Sequence, residues 1–126
     1  MDKFAKLGVE IPANQTITGI IDLGEFKLFA IELPATWAGT SLTFQAKSTN
    51  TPEADDQSVD DAENWKNVYD DSGNEVTVTV AANRIVCIDA AALKLAALRY
   101  IRIRSGTAAA PVGQNPSKPL KLLVKQ

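Results

Sequence analysis

LRYIRIRSGTAAAPVGQ, residues 98–114, joins a strand of alternating character to a loop of small residues. Side chains of an extended chain alternate between faces, so Ile101 and Ile103 fall on one side while Tyr100, Arg102 and Arg104 fall on the other. Ser105-Gly106-Thr107 breaks the strand, and Pro111 stops any helix that Ala108–Ala110 might begin. The apolar side predicts a sheet face turned toward a core. The polar side reads as a solvated outer face with ion pairs to the acidic half, as a row of interface contacts, since Tyr and Arg combine large contact area with directed hydrogen bonding, or as a sugar site. The SGTAAAP loop is a candidate for backbone that lies closely against a neighbour.

The same period recurs upstream and downstream. Leu42, Phe44 and Ala46 alternate with Thr43, Gln45 and Lys47; Val76, Val78 and Val80 alternate with Thr77 and Thr79; Leu120, Leu122 and Val124 close the chain. Leu28–Leu33 predicts a strand with Phe29, Ile31 and Leu33 on one face, and Thr16–Asp22 a strand with Ile17 and Ile21 inward. Asp70-Asp71-Ser72-Gly73-Asn74 has hairpin-turn chemistry between Trp65–Tyr69 and Glu75–Val80. Arg84–Ile88 is apolar enough for a central strand. Asp89 stands where an N-cap would, ahead of AAALKLAAL, so one short helix is expected near 90–98.

About eight short strands with turn signals every eight to fifteen residues indicate an all-β fold, an antiparallel β-sandwich or jelly roll. Residues 16–126 form its single domain. Residues 1–15 carry Gly8, Pro12 and Asn14 and are expected as an extended N-terminal arm in which Phe4 and Leu7 can dock. Trp37 sits in the loop Pro34–Thr40, where an aromatic either plugs one end of a core or meets a partner. Phe4 and Trp37 therefore join Tyr100, Arg102 and Arg104 as candidate interface residues.

Totals bound the function. The 126 residues are 45% hydrophobic and 22% charged, and no apolar run approaches the length of a membrane helix. MDKFAKLGVEIPANQ has no apolar h-region, so no secretory signal is expected. One cysteine, Cys87, leaves no internal disulfide and suits synthesis in a reducing cytoplasm. It lies within an apolar run and is expected to be an inert core residue. The net charge of −2 is unevenly placed. Residues 1–83 carry five lysines against fourteen carboxylates, and residues 84–126 carry eight Lys and Arg against Asp89 alone. Basic residues lack the aromatic interleaving of a nucleic-acid surface, so neither nucleic acid nor membrane is an expected partner.

The chain contains no histidine. Histidine-based triads, histidine general bases and the usual zinc sites are thereby excluded. Its glycines are scattered singly, without phosphate-loop spacing. Carboxylates crowd the acidic loop 48–64 (STNTPEADDQSVDDAEN), but without the D-x-D-x-D-G order of a calcium loop, so no metal and no cofactor is expected. The sequence predicts no enzyme.

RYIRIRSGTAAAPVGQ resembles a pattern in small virion structural proteins of tailed bacteriophages. The upstream blocks IDLGEFKLFAIELPATW, LTFQAKST and VYDDSGNEVTVTVAANRIVCIDAAAL stand in a similar order, so the resemblance runs from about Thr16 to Val124. The acidic segment Thr51–Asn64 departs from it. The resemblance implies a capsid decoration or cement protein with a jelly-roll-like sandwich. Such a protein is made in the host cytoplasm and located in the virion, where it binds and stabilises the shell of major capsid protein and meets neighbouring copies of itself as a homo-oligomer. The sandwich and the YIRI strand also look similar to discoidin-like carbohydrate-binding domains of phage tails and adhesins, which is the alternative.

Overall fold

A computed structural model describes residues 3–48, 65–88, 91 and 94–126. The chain is a two-sheet antiparallel β-sandwich. Its strands are β1 (Phe4–Ile11), β2 (Ile21–Asp22), β3 (Lys27–Glu32), β4 (Ser41–Ala46), β5 (Lys66–Asn67), β6 (Val78–Thr79), β7 (Ile85–Cys87), β8 (Tyr100–Ser105) and β9 (Lys118–Lys125). One sheet, here called the terminal sheet, runs β1-β9-β3-β7; the other, the central sheet, runs β2-β8-β4-β5, with β6 also paired to β4. Strands β1 to β4 pass alternately between the sheets and β7 to β9 do so again, so the first and last strands end side by side. That wrapping is a jelly roll.

The alternation of β8 holds: Ile101 and Ile103 are wholly buried between the sheets. Opposite them on β4, Phe44 pairs with Ile103 and Ala46 with Ile101. Leu120, Leu122 and Val124 of β9 supply the facing layer, and Val76, Val78 and Val80 close one side. Removing each large side chain of this set from water contributes roughly 1.5–3 kcal/mol. Of the expected helix, Ala91, Lys94 and Leu95 are helical, and Ala91 and Leu95 join the core. The Asp89 cap and residues 49–64 of the acidic loop lie outside the described residues.

Three expectations change. The extended arm is a full strand: Phe4 to Ile11 pair residue for residue with Lys125 to Lys118. Gly8 is tolerated there because its neighbours Leu7 and Val9 pack against the core. Second, Phe29 does not share a face with Ile31. The register between β3 and β9 shifts between Leu28 and Ala30, a β-bulge that turns Leu28 inward on one side and Ile31 and Leu33 inward on the other. Phe29 is left on the outer face. Third, Arg84–Ile88 is no central strand. β7 lies at the edge of the terminal sheet, so Val86 and Ile88 turn inward while Ile85 and Cys87 face solvent. Cys87 is thus an exposed thiol rather than a core residue. In the segment 16–22 only Ile21–Asp22 pairs as a strand, and Thr18 is buried, its hydroxyl accepting the Ile103 N–H at 3.0 Å.

Candidate functional site

Tyr100, Arg102 and Arg104 project from the outer face of the central sheet, as their alternation requires, but that face is covered. The hairpin turn at Asp70–Asn74 folds the chain back so that Tyr69 bridges Glu75, which brings Asn67 and Glu75 over β8. Asp70 Oδ1 accepts the N–H groups of Ser72 and Asn74 at 2.9 and 3.0 Å, and Gly73 takes the positive φ the turn needs. Arg104 then donates from Nη1 to Glu75 Oε2 at 3.2 Å and to Thr43 Oγ1 at 3.3 Å, and from Nη2 to Asn67 Oδ1 at 2.7 Å. It is only 7% exposed. A guanidinium so enclosed is stable only with its donors paired, and here three acceptors meet it.

Tyr100 and Arg102 are also engaged internally. The Arg102 guanidinium and the Lys47 ammonium lie 5.3 and 5.6 Å from the ring centroid of the buried Trp65, an arrangement favoured by the ring quadrupole. Arg102 Nε donates to the Thr18 carbonyl at 3.2 Å. Tyr100 is buried beneath Arg99, whose guanidinium is 5.1 Å from its ring. Arg99 in turn grips Asp22 through Nε at 2.8 Å and Nη2 at 3.2 Å. That hydrogen-bonded pair, helped by the Gly24 N–H, holds the Asp22 carboxyl below its ordinary range. The expected contact row is therefore corrected: Tyr100 and Arg104 are interior, and half-buried Arg102 stacks on Trp65.

The loop after β8 lies against its own chain. Gly106 has a φ of +86°, and a Cβ there would stand 2.4 Å from the Ala110 carbonyl oxygen. Thr107 and Ala110 exchange backbone hydrogen bonds at 3.2 Å, and the Glu75 carboxylate accepts the Ala108 N–H. Gln114, wholly buried, donates from Nε2 to Ala38 O and Ser105 Oγ, both at 2.7 Å, and accepts from Ala38 N–H. It thereby fastens the Trp37 loop, and half-buried Trp37 packs on the end of the core.

Of the five candidate residues, Phe4 stands freely in solvent, 74% exposed. It belongs to a second, open surface: the outer face of the terminal sheet. Phe29 (38% exposed) and Ile85 (54%) lie on that face with Cys87. Lys125 joins the two phenylalanines, its Nζ 5.8 Å from one ring and 5.9 Å from the other. Lys121, paired with Glu32 at 3.4 Å, continues the surface toward β7. The sequence carried no signal for Phe29 and Ile85 here, because a bulge and an edge position expose them.

Among the described residues, no group of three or more His, Cys, Asp and Glu is placed to hold a metal ion, and no helix is long and apolar enough to cross a membrane. Neither a protein-family model nor a curated protein matches this chain.

Proposed function

We propose that this chain is a non-enzymatic structural protein of a tailed-bacteriophage virion, a capsid decoration protein that binds and stabilises the shell of major capsid protein. The observation that carries the reading is the open face of the terminal sheet. Exposed Phe4, Phe29 and Ile85 stand there among lysines, on a rigid sandwich whose other face is closed by its own hairpin. Aromatic anchors within a charged rim suit a protein partner, since rings supply contact area and the rim supplies orientation. The phage assignment itself comes from the resemblance of the Thr16–Val124 blocks, and the non-enzymatic reading from a chain without histidine. The carbohydrate-binding alternative has less support: Trp65 is buried and Trp37 packs on the core, so neither ring offers a free face to a sugar.

Reconstitution tests the proposal. Purified shells assembled without this protein should bind it in a saturable number of copies and then resist heating to a higher temperature. Phe4→Ser together with Phe29→Ser should abolish that binding while leaving the fold intact. Absence of binding to shells, or location of the protein only at the tail tip of particles, would overturn it.

A further inference from the structure

Among the described residues no strand pairs with the outer side of β1, which is one edge of the terminal sheet, eight residues long, with no proline and no bulge. Such an edge presents a row of backbone donors and acceptors able to pair with another strand. Which residues present them follows from one bond. The N–H of Gln126 donates to the Lys3 carbonyl at 2.8 Å, and the β1–β9 register sets these two residues opposite each other. Hydrogen-bonded and non-bonded pairs alternate along an antiparallel ladder. Lys3, Ala5, Leu7, Val9 and Ile11 therefore bond toward β9, and Phe4, Lys6, Gly8 and Glu10 turn their N–H and C=O groups to the free edge.

We propose that this edge is a homodimer interface, in which two copies pair β1 antiparallel about a two-fold axis through Gly8 and join two four-stranded sheets into one of eight. Charge selects the second copy as occupant and fixes the register. Pairing about Gly8 sets Lys6 opposite Glu10 of the second copy, and by symmetry Glu10 opposite its Lys6. A slip of two residues in strand register sets each charge against an uncharged residue. A slip of four sets Lys6 against Lys6 or Glu10 against Glu10. Both side chains are exposed, and neither has an ion-pair partner among the described residues. Charges usually guard an edge strand, but here their signs are self-complementary.

The other side of the strand agrees. Residues opposite one another share a face, so Leu7 of one copy meets Val9 of the other on the inner side. An open groove of ≈ 650 Å³ runs there between β1 and the approach to β2, bounded by Val9, Pro12 and Ile20. The second copy's Leu7 and Val9 emerge beside it. Gly8, at the axis, has open space where a Cβ would stand, so the sheet face at the axis is uncrowded. The dimer does not rest on the phage reading, and particle experiments test that reading separately.

Sedimentation equilibrium of the full chain from micromolar to near-millimolar concentration tests the interface. The wild type should form dimers and nothing larger through this interface, since the axis uses up the β1 edge of each copy. Lys6→Glu and Glu10→Lys should each weaken the dimer about tenfold, because each turns two attractive cross-strand pairs repulsive. The combined Lys6→Glu/Glu10→Lys chain should return to within about twofold of wild type. Gly8→Cys in a Cys87→Ser background should cross-link to a covalent dimer on mild oxidation, since the Cα spacing of a hydrogen-bonded pair, about 5.5 Å, lies within disulfide reach. A chain that stays monomeric throughout overturns the proposal. So does a dimer indifferent to the single charge reversals, or one that the double reversal fails to restore.

Discussion

Arg104 and Glu75 meet at 3.2 Å with nearly all of both side chains withdrawn from solvent. Their pairing ties the hairpin to β8 and to the loop just beyond it. Arg104 stands on β8, Glu75 follows the hairpin turn, and the same carboxylate takes the N–H of Ala108 in the loop beyond β8. Thr43 on β4 completes the set, accepting from Arg104 and donating to the Gly106 carbonyl at 2.9 Å. The outer face of the central sheet is thus held shut by a polar network, which leaves the terminal sheet as the open side of the sandwich.

Breaking that network from one side should be costly. Arg104→Ala leaves the largely enclosed carboxylate of Glu75 without its cation and should lower stability by about 3 kcal/mol in denaturant unfolding. Arg104→Met combined with Glu75→Leu removes both charges and should cost clearly less than the sum of the single changes. Strict additivity, or a single loss below about 1 kcal/mol, would show that the pair is not coupled.

Strands with clean period-two patterns were legible in the sequence, because burial of one face imposes that period directly. β4, β8 and β9 are the examples: Phe44, Ile103 and Leu122 all fall where alternation puts them. What alternation cannot say is whether the other face meets water. Tyr100 and Arg104 alternate correctly and yet are covered, since the cover is a hairpin about thirty residues away in sequence. β1 was hidden for a different reason: FAKLGVEI alternates, but Gly8 and the nearby Pro12 lower its local strand signal, and pairing with β9 at the far end of the chain overrides that. Of the two exposed phenylalanines, Phe4 was among the interface candidates the sequence offered, and Phe29 was not.

The bulge gives two neighbouring apolar residues opposite weights. Ile31 is wholly buried and Ile31→Ala should cost about 2–5 kcal/mol, the range for emptying a core site. Phe29→Ala, on the outer side of the same strand, should stay within about 1 kcal/mol. Chemical denaturation of the two variants checks this, and equal losses would mean that β3 runs without its bulge.

Cys87 should behave as a surface thiol. With its side chain on the solvent side of β7, it should react fully with a disulfide-forming colour reagent in the native state, at a rate close to that in denaturant. Protection of the native protein by orders of magnitude would instead place Arg84–Ile88 within the core.

Two glycines with nearly the same backbone angle separate strain from crowding. Gly73 (φ +85°) has open space at the Cβ position, so Gly73→Ala should cost only the left-handed backbone penalty, about 1–2 kcal/mol. Gly106 (φ +86°) would drive its Cβ into the Ala110 carbonyl and the Val112 nitrogen, both fixed backbone. Gly106→Ala should therefore lose markedly more, with an overpacking cost of about 1–3 kcal/mol added. Thermal melts of the two variants measure the difference directly.

The Asp22–Arg99 pair should mark the acid limb of stability. Asp22 is held below its ordinary pKa of 3.8, chiefly by the Arg99 hydrogen bond. The unfolded chain therefore binds the proton more readily than the folded one. The resulting stabilisation is fully present well above pH 3.8 and is lost as the pH falls from there through the lower folded-state value. Asp22→Asn keeps the shape but not the charge, so it should be less stable than wild type at pH 7. The gap should narrow steadily below about pH 4 and close once both forms are neutral. Because the pair is partly exposed, high salt should also shrink the gap at pH 7. Unfolding curves of both chains from pH 7 to pH 2 decide it: a gap that holds constant across that range would assign the loss in the variant to something other than the carboxylate charge.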